Sequence, residues 1–180
     1  VDGKVGKALS FDGVDDYVMV SNSVSINVSN ISVVAFIKFN PISQIHPIIQ
    51  HMDGCITNGY FLTINRVGAS CSETVVDNKF WLVSGSNSSN SGDFVTNSIL
   101  DSSNFHLVAF TWNSYSGGSV QKLFLDGRKN IERNLSINTP NPRSSNLLIG
   151  RTNTCWCVQY FNGLIDEVRI YNRALSDQEI

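Results

Sequence analysis

Four carboxylates stand out by their spacing. Asp12, Asp15 and Asp16 crowd one short loop around Gly13, and Asp166 interrupts an apolar alternation in Leu164-Ile-Asp-Glu-Val-Arg-Ile-Tyr171. Alternate residues of an extended strand share a face, so the pattern puts Asp166 beside Leu164, Val168 and Ile170, with Glu167 and Arg169 opposite. A carboxylate on a core-facing side is costly unless it is paired or binds a metal. Like charges as close as Asp12, Asp15 and Asp16 also favour a cation between them. Hard oxygen ligands on a flexible loop suit calcium, which takes roughly six to eight of them and accepts carbonyls such as that of Gly13. The expected device is a structural Ca²⁺ held by Asp12, Gly13, Asp15, Asp16 and Asp166, tying the first loop to the last strand. The alternative needs no ion: Asp166 accepts backbone N–H groups from the Asp12–Asp16 loop or pairs with a lysine such as Lys4, and the loop carboxylates shape their own turn.

Catalytic arrangements are harder to find. Glycosidic cleavage needs two carboxyl groups flanking one bond, and a same-face pair on one strand needs acids two or four residues apart. No strand pattern supplies one, since Asp166 and Glu167 are consecutive and Glu73, Glu132 and Glu179 fall in turns or at the end. His46, His51 and His106 lack an accompanying Gly-x-Ser-x-Gly elbow, so they read as structural histidines. No catalytic residue is assigned.

A binding role has better candidates. Sugar recognition rests on aromatic rings that cover apolar sugar faces, with amides and charges for the hydroxyls. Trp156 and Tyr160 lie with Arg151, Asn153 and Gln159 between Gly150 and Phe161, a stretch too polar and too aromatic for a plain connector. Trp81 faces away from Phe80 and Leu82, which directs it to an outer sheet surface, whereas Trp112 shares the face of Phe110 and reads as core.

The elements that must position these residues are strands. Period-two alternation recurs in short runs broken by Gly, Asn, Asp and Ser, and helical periodicity is nearly absent. The runs are Ala8–Phe11, Tyr17–Val20, Ile31–Phe39, Ile45–Gln50, Tyr60–Ile64, Phe80–Ser84, Ser98–Leu100, His106–Asn113, Gln121–Leu125, Leu147–Gly150 and Gly163–Tyr171. Asp126-Gly127 is the strongest hairpin signal, because both positions take positive φ cheaply. Ser84–Gly92 reads as a long hairpin loop, and Ser176-Asp-Gln-Glu179 as a capping box on a single helical turn. So many evenly spaced strands in 180 residues, with no internal repeat, predict one all-β domain: an antiparallel two-sheet sandwich or barrel.

Composition narrows the partners. With 42% hydrophobic residues the chain can bury a core, so disorder is excluded. Thirteen Lys+Arg against fifteen Asp+Glu leave no positive field for nucleic acid. No run approaches the ~20 apolar residues that cross a bilayer, so no membrane insertion is expected within this segment, and any signal peptide or anchor would lie outside it. Charged residues are only 16%, against a usual quarter or so, while Ser and Asn make roughly a quarter of the chain; its surface is polar without being ionic.

Four cysteines, Cys55, Cys71, Cys155 and Cys157, permit two disulfides. Their spacing favours Cys55–Cys71. A Cys155–Cys157 bridge needs a bent backbone, and a zinc site or free buried thiols stand as alternatives. Asn27, Asn30, Asn87 and Asn134 each begin an Asn-x-Ser triplet, the acceptor for N-glycosylation in an exported chain. Together these features point outside the cell.

Three ordered stretches carry a family resemblance: Gly6-Lys-Ala-Leu-Ser-Phe-Asp-Gly-Val-Asp-Asp-Tyr-Val18; Phe105-His-Leu-Val-Ala-Phe-Thr-Trp112 with Lys122-Leu-Phe-Leu-Asp-Gly127; and Leu148-Ile-Gly150 with Phe161-Asn-Gly-Leu-Ile-Asp-Glu-Val-Arg-Ile-Tyr-Asn-Arg-Ala-Leu-Ser176. The chain resembles the laminin G-like domain of the concanavalin A-like lectin/glucanase superfamily over nearly its whole length, most weakly from Gln44 to Ser103. The resemblance implies a β-jelly roll used as an accessory or adhesive module in extracellular proteins, and it strengthens the expectation of calcium. The resulting expectation is a non-catalytic, lectin-like module, secreted or at the cell surface, that binds a glycan. Its rivals are a structural or adhesive unit that contacts a cell-surface protein and, third, a glycoside hydrolase.

Overall fold

The computed structural model describes residues 1–41, 44–53, 58–67, 74–86, 89–136, 144–152 and 158–180. They form two antiparallel six-stranded sheets stacked as a jelly-roll sandwich. In the first sheet the order is β1 (Leu9–Asp12), β12 (Asn162–Tyr171), β3 (Ile31–Phe39), β8 (His106–Tyr115), β9 (Gly118–Leu125) and β10 (Arg128–Leu135). In the second it is β2 (Val18–Val20), β11 (Leu147–Ile149), β4 (His46–Asp53), β5 (Asn58–Val67), β6 (Thr74–Ser86) and β7 (Ser89–Val95). No helix occurs among the described residues.

Alternation builds the core. In β3, Ile31, Val33, Ala35, Ile37 and Phe39 all point inward and are buried, while Val34, Phe36 and Lys38 face out. From the facing strands Tyr60, Leu62, Ile64, Phe80 and Leu82 meet them, together with Phe110, Trp112 and Leu123. Each such large side chain contributes about 1.5–3 kcal/mol through burial.

Two strands lie where the sequence gives no apolar alternation. β7 runs through part of the expected Ser84–Gly92 loop, and β10 is the charged segment Arg-Lys-Asn-Ile-Glu-Arg-Asn-Leu. Each is an edge strand with a partner on one side only, so backbone pairing with β6 or β9 holds it and no full apolar face is required. Asp126 and Gly127 do turn with φ of 50° and 74°, which leads β9 directly into β10. Ser98–Leu100 is not a strand; Leu100 packs into the core, and its N–H donates to the Asn78 carbonyl. Ser176–Glu179 closes a turn without becoming a helix: the Ser176 N–H and hydroxyl donate to Glu179 Oε2, and the Glu179 N–H donates to the Ser176 carbonyl.

Both chain ends lie against the outer face or edge of the first sheet. The Leu175 N–H donates to Ser32 Oγ, which donates to the Arg173 carbonyl, and Lys122 on β9 pairs with Asp177 at 2.6 Å. The expected inward direction of Asp166 does not hold. Ile165 enters the core, and a bulge at Asp166–Arg169, with Glu167 at φ 49°, returns Val168 and Ile170 to the core side. Asp166 therefore faces outward beside Phe36. It is only 6% exposed because residues 1–7 cover it.

Candidate binding site

The stretch after β11 is a hairpin whose root is fixed by backbone chemistry. Gly150 has φ +80° and donates its N–H to the Ile48 carbonyl, while its own carbonyl accepts from Phe161. Arg151 and Tyr160 then pair across the hairpin. One step further out, the Thr152 N–H donates to the Gln159 carbonyl and the Gln159 N–H to Thr152 Oγ1. Asn153 and Trp156 belong to this hairpin in sequence and lie outside the described residues, as do Cys155 and Cys157 and the other two cysteines, Cys55 and Cys71.

The Arg151 guanidinium carbon stands 4.7 Å from the ring centre of Tyr17 and 5.6 Å from that of Tyr160, close enough for both cation–π contacts. Its Nε is buried and has no hydrogen-bond acceptor among the described residues. Tyr17 is 43% exposed. It escapes a sequence reading because it looks like the first residue of strand β2, while tertiary packing brings that loop to the hairpin.

That same loop carries the acidic cluster. One carboxylate oxygen from each of Asp12, Asp15 and Asp16 falls within 4.8 Å of the others. An ion ligated at the usual ~2.3–2.6 Å spans about that distance between opposite ligands, so the three oxygens fit a Ca²⁺ sphere. They also shape the turn: Asp12 Oδ1 accepts from Val14 and Asp15 N–H, and Asp16 Oδ2 accepts from the Asp12 N–H. The Asn162 side chain donates to the Asp12 carbonyl, which binds loop and hairpin root together.

Asp166 stands apart from this group. β1 pairs Asp12 with Asn162, so Asp166 lies four residues along β12, about 13 Å at strand rise. Its Oδ2 accepts the Val5 N–H at 2.9 Å, and a Cβ on Gly3 would stand 2.5 Å from that oxygen. The termini are joined by a covered carboxylate and a backbone donor, and not by the expected link from Asp166 to the acidic loop. That donor comes from Val5, outside the Asp12–Asp16 loop, and the bond involves no Lys4 side chain.

Trp81 does face away from Phe80 and Leu82, on the outer side of the second sheet. It is nonetheless only 9% exposed, and its Nε1 donates to Asp77 Oδ1 at 3.1 Å. Three strand spacings, about 14 Å, separate β6 from β11, so Trp81 does not join the hairpin. Of the described triplet asparagines, Asn30 Oδ1 accepts the Ser114 N–H at 2.6 Å and Asn27 donates to Asn22, whereas Asn134 is exposed on edge strand β10; Asn87 lies outside the described residues. The histidines serve the fold. His46 is fully buried, His51 Nε2 meets the Ser145 carbonyl, and His106 bridges Asp126 and Asp101.

A two-sheet jelly-roll sandwich thus brings Tyr17, Arg151 and Tyr160 together from separate connections. The chain belongs to the concanavalin A-like lectin/glucanases superfamily, whose sequence pattern matches residues 12–180. No curated protein matches it by sequence. Among solved structures it is similar to a Bacteroides ovatus protein described as a candidate carbohydrate-binding protein (TM-score 0.71, 19% identity, 94% of this chain and 44% of that one). It is also similar to domain 4 of AbnA, a Geobacillus stearothermophilus GH43 extracellular arabinanase in complex with arabinotriose (0.64, 19%, 99% and 77%). A third is the Ruminococcus gnavus IT-sialidase CBM40 bound to α2,3 sialyllactose (0.66, 15%, 96% and 95%). At these identities the likeness is one of fold. The chain spans less than half of the Bacteroides ovatus protein.

Proposed function

We propose that the chain is a non-catalytic glycan-binding module of an extracellular or cell-surface protein, and that it binds through Tyr17, Arg151, Tyr160 and Gln159 with Asn153 and Trp156 of the same hairpin. The observation that carries this reading is the Tyr17–Arg151–Tyr160 group: rings for the apolar face of a sugar beside a guanidinium able to donate to hydroxyls. The arabinotriose and sialyllactose bound in two of the similar structures support it. Catalysis finds no support in the acidic cluster, because its carboxylates share one surface turn and do not face each other across a cleft. We also propose Ca²⁺ at Asp12, Asp15 and Asp16 with the Gly13 carbonyl. When bound, it would neutralise the crowded carboxylates and stiffen the loop that carries Tyr17.

The test is a glycan panel that includes arabino-oligosaccharides and sialyllactose, run with and without Ca²⁺ on wild type and on Arg151→Ala, Tyr17→Ala and Trp156→Ala. Binding that falls at least about tenfold in the first two variants is expected, since one aromatic or charged anchor commonly supplies more than 1.4 kcal/mol. Binding to no glycan, or binding indifferent to all three changes, removes the reading. A second reading, contact with a cell-surface protein, draws on exposed apolar residues around the same loop: Val14, Met19, Val20 and Val158. Reducing-sugar release from the panel would instead revive the hydrolase.

A further inference from the structure

One side of the sandwich is closed without an apolar stripe. β7 and β10 are the outermost strands there, one in each sheet, and β10 is charged along its length. None of its residues is fully buried; Ile131, half-buried, packs against the core. Its one strand partner is β9, whose Leu123, Phe124 and Leu125 are buried. On the outer face Lys129 reaches Asp177 in an exposed pair, a contact that contributes little. β10 therefore covers an apolar strand with little burial of its own to hold it.

Two of its side chains cross to the other sheet instead. Arg133 turns inward beside Gln121, and its Nε and Nη2 both donate to Gln121 Oε1, at 2.9 and 2.7 Å. Nη2 also donates to Ser84 Oγ on β6 at 3.2 Å, and Gln121 Nε2 donates to that same oxygen at 3.0 Å. Gln121 and Ser84 are both 0% exposed, so this triangle lies within the sandwich. The guanidinium carbon stands 4.5 Å from the ring centre of Phe94 on β7, a cation–π contact to the outermost strand of the second sheet. Three residues earlier the ladder slips between Lys129 and Ile131. The bulged Asn130 is thereby aimed across the gap: its Oδ1 accepts the Asn97 N–H at 2.7 Å, and its Nδ2 donates to Ser98 Oγ at 2.9 Å, just beyond β7.

We propose that Arg133 and Asn130 form a polar lock: bonds to the second sheet, in place of core burial, keep β10 seated on the edge of β9. A planar fork suits this role. One guanidinium donates twice to one oxygen and still reaches Ser84 with its face on a ring, whereas an ammonium has no such plane and a thioether no donor. Loss of the lock is local, because β10 has no fully buried side chain to pull from the core, and the inward residues of β3, β5 and β8 stay packed without it. Its departure would bare the paired edge of β9, so the lock also keeps that apolar strand from pairing elsewhere. This device belongs to the edge of the sandwich and does not rest on the glycan reading.

Amide hydrogen exchange on the whole chain compares wild type with Arg133→Lys, Arg133→Met and Asn130→Ala. Protection of the amides of residues 131–135 should fall at least about tenfold in both Arg133 variants, as loss of a hydrogen bond from a charged donor implies, and stay within about twofold in β3. Adding Ser84→Ala to Arg133→Met should change β10 by less than about twofold, because the cross-sheet bond is already gone; a full additive loss overturns that contact. Wild-type protection of β10 in Arg133→Met, which would show that apolar bulk suffices, overturns the lock. So does wild-type protection in Arg133→Lys, or a loss in β3 that matches the loss in β10. If neither Arg133 variant folds, Asn130→Ala decides, since it removes only bonds at the surface: a loss confined to β10 upholds the lock, and unchanged protection there overturns it.

Discussion

Replacing Gly150 by alanine tests whether the hairpin root is as constrained as its geometry implies. At φ +80° an L-residue meets its own carbonyl, at a cost of about 1–2 kcal/mol. The new Cβ would also stand 2.5 and 2.6 Å from Cε1 and Cδ1 of Phe11, a ring that is 4% exposed and packed against Phe161. Forcing a methyl into such a packed site costs about 1–3 kcal/mol. The sum, about 2–5 kcal/mol, is a large share of the ~5–15 kcal/mol that holds a domain of this size. Urea denaturation of Gly150→Ala should show it as a lower midpoint at unchanged slope. The two contributions separate in a double-mutant cycle with Phe11→Leu: the smaller side chain removes the clash and leaves the backbone strain. A coupling of about 1–3 kcal/mol between the two sites is therefore expected. If Gly150→Ala costs under about 0.5 kcal/mol, or if the coupling vanishes, the root is softer than argued and cannot be what orients Arg151 and Tyr160.

Asp166→Ala should destabilise by about 1–3 kcal/mol, since it removes the covered carboxylate that accepts the Val5 N–H, and should expose residues 1–7 to limited proteolysis; an uncleaved variant of wild-type stability would contradict the stitch. Trp81→Ala should cost about 3–5 kcal/mol in chemical denaturation, yet leave the glycan affinity of the folded protein unchanged; a selective affinity loss would move the binding surface to the outer face of the second sheet. The Arg173 guanidinium, helped by the Ser176 N–H and hydroxyl, pulls Glu179 down from 4.5 to about 2. The C-terminal turn should therefore keep its Glu179 contribution above pH ~4.5 and lose it only as the pH falls through about 2. NMR titration of Glu179 checks this, and Arg173→Gln should return the midpoint towards the ordinary carboxylate range.

The sandwich was legible in the residues because strand alternation is local. β3 could be placed from Ile31 to Phe39 without any partner, as its inward residues declare themselves by period. β7 and β10 were not legible in the same way. Edge strands are held by backbone bonds to one neighbour, and polar sequences such as Arg128–Leu135 leave no apolar trace of that pairing. Asp166 shows where alternation fails: one bulge at Glu167 shifts the face of everything beyond it, and the residue types alone do not announce an inserted position.

By itself the sequence determined that this chain is a two-sheet sandwich, that Asp12, Asp15 and Asp16 crowd one turn, and that Arg151, Gln159 and Tyr160 share one polar, aromatic connection. Only the tertiary structure decided that Tyr17 reaches Arg151, that Trp81 is buried away from it, and that Asp166 meets the Val5 donor far from the acidic turn. The reason is physical. Periodicity and turn chemistry act between near neighbours, whereas these meetings join residues up to 161 positions apart, and they are set by strand order and by a bulge.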